Sequence, residues 1–300
     1  MNQSRKRLSR VAVPSLAALA VAGVALAVYS SAAPSAHAPS SNMPGKAAAR
    51  PVHQATAGDS DDPAMWRLPI EAYMPTKAQS ALISSSRDEL IDACMAKAGF
   101  PDWTPAPDLP QVGGKTLTDW RYGIHDAALA AKRGYHPDAG EQRAYDQAID
   151  AGAVDESKAD KGTLRGCVSQ VDGQVPESSA QADLVQQIDG ESYTQSATDP
   201  RVKAVFAQWS SCMKDKGFTY ATPMDANNDD AFGDMNTVTD KEIATATADI
   251  TCRDKYQVAK TWFSAEVTLQ QTAIAAHQDE LDQVVAETKT IVDKARAAVR

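Results

Sequence analysis

The chain has 300 residues, 43% of them hydrophobic, with 39 acids against 30 Lys and Arg, a net charge of −9. A surface of that sign repels nucleic acid and anionic lipid headgroups, both of which call for basic patches, so nucleic-acid binding is excluded as a leading function. The same charge keeps the protein off anionic wall polymers unless a divalent cation bridges the two.

Residues 1–38 read as an export signal. MNQSRKRLSR carries four cations and no acid, the run 11–29 is apolar and uncharged, and Ala36-His37-Ala38 supplies the small-x-small cleavage pattern. Cleavage after Ala38 is the expectation. The alternative is retention, because an apolar run of 19 residues is just long enough to span a bilayer. The cationic end would then stay cytoplasmic and the body outside. Either way residues 39–300 sit outside the cytoplasm, secreted or anchored to the outer face of the membrane, and membrane contact arises only through 11–29. Without Arg5, Lys6, Arg7 and Arg10, 26 cations face 39 acids, a charge of about −13. Residues 39–62 are rich in Pro, Ala, Ser and Gly and predict a flexible tether, with order beginning near Trp66.

A first helical unit is expected over 63–197, with an insertion at 101–166. Thr76 and Gln79 form a capping box, and Leu82, Ile83, Leu90, Ile91, Cys94 and Met95 fall on one helical face. CMAKAGF (94–100) closes that helix, with Gly99 as the left-handed terminator and Phe100 folding back. GEQRAYDQAIDAG and SSAQADLVQQIDG predict two further short helices. A second unit is expected over 198–300. Asp199 caps a helix with Pro200 in its first turn, Val202, Val205, Phe206, Trp209, Cys212 and Met213 make its stripe, and CMKDKGF (212–218) closes it. The echo continues downstream as WTPAPD (103–108) and YATPMD (220–225). Matching caps, stripes and turns predict an internal duplication.

Four cysteines in an exported chain predict disulfides. Cys94, Cys167, Cys212 and Cys252 contain no Cys-x-x-Cys pair, which speaks against zinc. They can pair in three ways. If the unit is duplicated, the pairing is too, which gives Cys94–Cys167 and Cys212–Cys252. From Thr239 to Arg300 there is neither Gly nor Pro, and Thr239 with Glu242 forms another capping box. As one helix this stretch would run roughly 90 Å, so it must bend along the body or project. Projecting, 258–300 would offer a protein partner a coiled-coil-like seam, although Thr288 and Ala295 make that seam a poor one on its own. No run of alternating β-branched residues occurs. The expected fold is therefore mainly α: a duplicated helical unit, each copy with one disulfide, plus a long C-terminal helix.

The densest group of chemically versatile side chains is 119–138, inside the insertion. Trp120, Tyr122 and Tyr135 can stack on a sugar or peptide, Arg121 can fork a carboxylate, and His125, Asp126 and His136 can titrate. Trp120, Arg121, Tyr122, His125 and Asp126 are the candidate ligand-binding residues. The plainer alternative is a loop anchored by its aromatics and tied down by its polar groups. The acidic run 225–236 places Asp225, Asn227 and Asp229 at the first ligand positions of a calcium loop. Asp230 stands where Gly is needed and Asn236 where Glu is needed, so no metal is expected there. Gly-x-Ser-x-Gly, His-Glu-x-x-His and Gly-rich phosphate loops do not occur, and neither a catalytic residue nor a cofactor is predicted.

WRLPIEAYMPT (66–76), the two Cys-Met-x-x-x-Gly-Phe stretches and WRYGIHD (120–126) together resemble a group of exported actinobacterial proteins that share a helix ending in that Cys motif. The resemblance covers most of 66–256, implies an envelope or secreted setting and transfers no catalytic residue. The leading expectation is a non-enzymatic binding or scaffold module at the cell envelope. The alternatives are a wall-directed hydrolase using 119–138 and 225–234, and a membrane-anchored extracytoplasmic sensor.

Overall fold

The computed structural model describes residues 61–152, 157–235 and 237–299, and every regular element in them is helical. The signal expected in 1–38, the apolar run 11–29 and all but the end of the tether lie outside these residues. Among the described residues, no helix is long and apolar enough to cross a membrane. The chain divides into Met1–Ala49 and Arg50–Arg300, and all the elements that follow belong to the second unit. They are α1 Lys77–Lys97, α2 Ala127–Arg133, α3 Ala139–Gly152, α4 Lys161–Gln174, α5 Ala182–Ser196, α6 Pro200–Asp215, α7 Pro223–Asn227, α8 Asp240–Lys255, α9 Val258–Ala276 and α10 Gln278–Ala298.

The two motif helices close alike. After α1, Gly99 adopts φ +97° and Phe100 N–H donates to Met95 O at 3.0 Å; after α6, Gly217 adopts φ +90° and Phe218 N–H donates to Met213 O, also at 3.0 Å. That bond satisfies a carbonyl the helix end would otherwise leave bare, and only glycine takes the positive φ without strain. Their starts also follow the sequence, with a reciprocal Thr76–Gln79 capping box on α1 and Asp199 accepting from Arg201 N–H on α6.

Cys94 pairs with Cys167 and Cys212 with Cys252, at Cα separations of 5.7 and 5.9 Å. The first bond ties α1 to α4 and the second ties α6 to α8, each closing a loop worth about 4 kcal/mol by unfolded-chain entropy. The bonds lie in different cores. Cys212 and Cys252 belong to the main cluster around Trp66, Trp209 and Trp262, whereas Cys167 sits with Ile91, Met95, Trp103 and Val171 in a smaller one. A third cluster joins α1 to α10 through Ile83, Ile291, Val292 and Ala295. The buried indole N–H groups are satisfied, Trp209 by Asp249 at 2.8 Å and Trp262 by Ser196 at 2.7 Å.

The stretch from Thr239 bends twice instead of running straight. Gln257 takes a left-handed conformation, φ 50° and ψ 42°, between α8 and α9, and His277 separates α9 from α10. A non-glycine residue in that region costs roughly 1–2 kcal/mol. Burial of Trp262 against Tyr193 of α5 and Phe206 of α6 offsets it, since a large apolar side chain contributes about 1.5–3 kcal/mol. The final helix is long, 21 residues, and lies along α1. Within the insertion, α2 packs on α8, whereas α3 buries no residue at all.

Candidate functional site

Residues 119–126 form the loop that leads into α2, and most of their polar groups hold that loop in place. Asp126 caps α2, accepting from Ala128 and Leu129 N–H at 2.8 and 2.9 Å. Trp120 is half-buried, and its ring lies against Gly113, where a Cβ would come within 2.7 Å of it. Gly123, at φ +106°, lets the Arg253 guanidinium approach the backbone so closely that any side chain there would overlap it. Arg253 donates to Tyr122 O and to both carboxylate oxygens of Asp249, at 2.6 and 2.9 Å, which pins the loop to α8.

Arg121 is committed to the protein's own acids. Its Nε lies 3.0 and 3.1 Å from the two oxygens of Glu266, its Nη2 reaches Glu266 Oε1 at 2.6 Å, and Asp189 Oδ1 lies 2.9 Å away. Tyr122 donates its hydroxyl to Glu266 Oε2 at 2.7 Å. Burial, reinforced by the Glu266 charge, raises the Tyr122 phenol far above its ordinary pKa, so it stays a donor. Burial also raises the Glu266 carboxyl, and Arg121 pulls it back. Burial works against the Arg121 cation as well, but Glu266 and Asp189 outweigh it and hold the guanidinium charged. His136 sits 2.6 Å from Glu242 Oε1, which also accepts from Tyr135 N–H at 2.9 Å. Both residues are buried, and among the described residues His136 Nε2 and Glu242 Oε2 find no protein partner.

His125, together with Tyr122, Gly123 and Ile124, lines a cleft of about 460 Å³. Around it stand Asp61, Trp66, Tyr122, Asp254 and Gln257. His125 Nε2 lies 2.6 Å from Asp119 Oδ1, and the other Asp119 oxygen accepts from Lys115 N–H at 2.5 Å. Asp119 is buried, and on the other side of the ring His125 Nδ1 lies 3.7 Å from Asp62 Oδ1. Partial burial raises the Asp254 carboxyl, with His125 and then Arg253 pulling it down. Of the five expected ligand-binding residues, Tyr122 and His125 line this cleft; Trp120, Arg121 and Asp126 do not.

The acidic stretch from 225 is spent on turns. Asp225 closes a capping box with Thr222 on α7, and Asp229 caps the 3-10 turn Asp230–Phe232 while accepting from Tyr220 OH at 2.7 Å. Asn236 lies outside the described residues. No group of three or more His, Cys, Asp or Glu among the described residues is arranged to hold a metal ion.

Several residues of this neighbourhood escaped sequence reading: Asp119, Asp189, Asp249, Arg253, Asp254 and Glu266, while Glu242 was read only as a capping partner of Thr239. Two of their pairings left a readable trace, as Asp249/Arg253 and Glu266/Gln270 are polar i,i+4 pairs inside apolar helical stretches. No family model, no curated protein and no solved structure matches the chain.

Proposed function

We propose that this protein is an exported, disulfide-stapled helical module that works outside the cytoplasm by binding and not by catalysis. The pair of disulfides carries the reading, because such bonds persist where the surroundings are oxidising. The resemblance to exported actinobacterial proteins and the signal-like residues 1–38 support the same setting. The matched helix ends at Gly99 and Gly217, each with its own Cys bond, support an ancestral duplication of one helix-plus-staple unit. The commitment of Arg121, Tyr122 and His136 to buried acids supports a binding role over a reaction centre. Along 258–299, Leu281, Val284, Ile291 and Val292 face the body, so a protein partner of this segment would meet the outer face with Val285.

Intact-mass measurement of the native protein from culture fluid and from membranes, alkylated without reduction, tests the reading. A soluble species starting at Pro39 with no added alkyl groups is the expected result. A membrane species retaining 1–38 would favour the anchored sensor. Four alkylated thiols would overturn the reading altogether.

One observation favours a wall-directed hydrolase as the second reading: the Asp119–His125 pair opens onto a cleft, as a general base held by a carboxylate would. Release of soluble fragments from purified wall by the protein, abolished in His125→Asn, would establish it, and no release would dismiss it.

A further inference from the structure

Where α1, α5 and α10 meet, the packing leaves a narrow slot of about 70 Å³. Its walls are apolar, from Met74, Ile83, Val185, Val284 and Ile291. Interiors seldom leave such a void unfilled, and an apolar one admits an apolar guest. A cavity of about 150 Å³ takes a benzene ring, so half that volume takes about three or four aliphatic carbons. The slot opens beside a broader cleft of about 500 Å³, with which it shares Pro75, Ile83 and Glu177, so a guest can continue beyond it.

The polar groups of the slot are unspent. Thr268, Thr272 and Thr290 turn their hydroxyls back to the carbonyl four residues earlier, but Thr288 does not, and it lines the slot. Ser179, 8% exposed, lines it too, and neither hydroxyl has a hydrogen-bond partner among the described residues. Ser179 stands three residues before α5, whose first turn carries no side-chain cap. Donors of this kind suit a neutral carbonyl oxygen. At the rim, the exposed Glu177 carboxylate engages no donor among the described residues, so it accepts an N–H and repels another carboxylate. The cleft supplies no free cation to reverse that preference, since Arg87 is spent on Val175 O and Asp172.

An aliphatic group beside a carbonyl oxygen and an N–H is a residue of a peptide. We propose that the slot takes the aliphatic side chain of a leucine-sized residue within an extended, uncharged peptide segment, its carbonyl meeting Ser179 and its N–H meeting Glu177. The proposal rests on the reading of the protein as an exported binding module and names the class of ligand that module takes.

Titration of the full-length, oxidised protein with N-acetyl-leucinamide, N-acetyl-glycinamide and 4-methylpentanoate, followed by two-dimensional amide NMR, tests it. Saturable shifts with the leucine amide are expected, in the millimolar range usual for so small a ligand. The glycine amide should give none, and the carboxylate should bind more weakly. Ala182→Leu, which fills the slot from its half-buried wall, should abolish binding. Ser179→Ala should weaken it about threefold to tenfold, as loss of a neutral hydrogen bond does, and serves if Ala182→Leu fails to fold. Equal binding of the glycine amide or of the carboxylate, wild-type affinity in both variants, or no saturable shift would overturn the proposal. Alkylation of the same sample separates the two claims: absent binding with both disulfides intact overturns the slot alone, and free thiols overturn the exported module on which it rests.

Discussion

Replacing Arg121 with Met should be among the most damaging single changes in the protein. The Glu266 side chain is completely buried, and in the variant it would keep only the Tyr122 hydroxyl at 2.7 Å and the Gln270 amide at 3.2 Å. Removing one partner of a buried ion pair costs about 3–5 kcal/mol, because the other charge stays behind in a poor solvent for it. For a body of this size that lowers the melting temperature by roughly 6–20 °C. The double variant Arg121→Met, Glu266→Leu should recover most of the loss, since an apolar pair of similar volume carries no desolvation cost; Asp189, 15% exposed, can turn to solvent. The deficit should also depend on pH. In the fold, burial holds the Glu266 carboxyl above its usual 4.5, and loss of Arg121 would raise it further. Between the unfolded and folded pKa values the folded chain binds more protons, so stability falls as pH rises through that window. The deficit of the single variant is therefore full above the folded value and fades as pH drops toward 4.5. Thermal melts of the wild type and both variants across that range measure it. A single variant that loses less than about 1 kcal/mol at neutral pH, or a double variant no better than the single, would refute the account of Glu266 as a charge held in the core by Arg121.

Three other outcomes follow from the same structure. Gly123→Ala should prevent Arg253 from docking and collapse the thermal transition, whereas Gly99→Ala, where a Cβ meets nothing within 4 Å, should cost only the strain of its positive φ, about 1–2 kcal/mol. Asp199→Ala should cost about 1 kcal/mol for the lost cap. The Arg201 side chain and backbone N–H hold the Asp199 carboxyl at about 2, so its share of stability is present above 3.8 and disappears in acid titration as pH falls through about 2. Graded reduction with a small thiol, followed by alkylation and peptide mapping, should label Cys94 and Cys167 first, because Cys94 is partly exposed whereas Cys212 and Cys252 are both buried.

Helix ends and cysteine pairing were legible because their grammar is local. A cap, a stripe and a terminating glycine lie within a few residues of one another, and a repeated Cys context carries its pairing with it. The polar side chains of 119–138 were not, because their partners are remote: Glu266 lies 145 residues from Arg121, and Glu242 lies 106 from His136. Glu242 shows how distance overrides grammar. The sequence pairs it with Thr239 in a capping box, and Thr239 does accept its N–H at 3.1 Å, but the carboxylate turns away to Tyr135 and His136. The bend at Gln257 was hidden for a similar reason. No Gly or Pro marks it, and only the burial of Trp262 against other helices accounts for it. His125 was singled out from the sequence and lines a cleft, while the opposite wall includes Asp254, which no short-range pattern joins to it.

The contact between α1 and α10 sets an order of events during synthesis. Ser86 hydrogen-bonds Ala295 O across a separation of 209 residues, so α1 waits for almost the whole chain before its final neighbour exists. Closing so distant a contact late is slow, and an amphipathic helix left waiting is an invitation to wrong partners. Cys167 emerges only 73 residues after Cys94. Where the surroundings are oxidising, the first disulfide can therefore act as a placeholder, seating α1 on α4 before α10 docks and leaving one face ready for it.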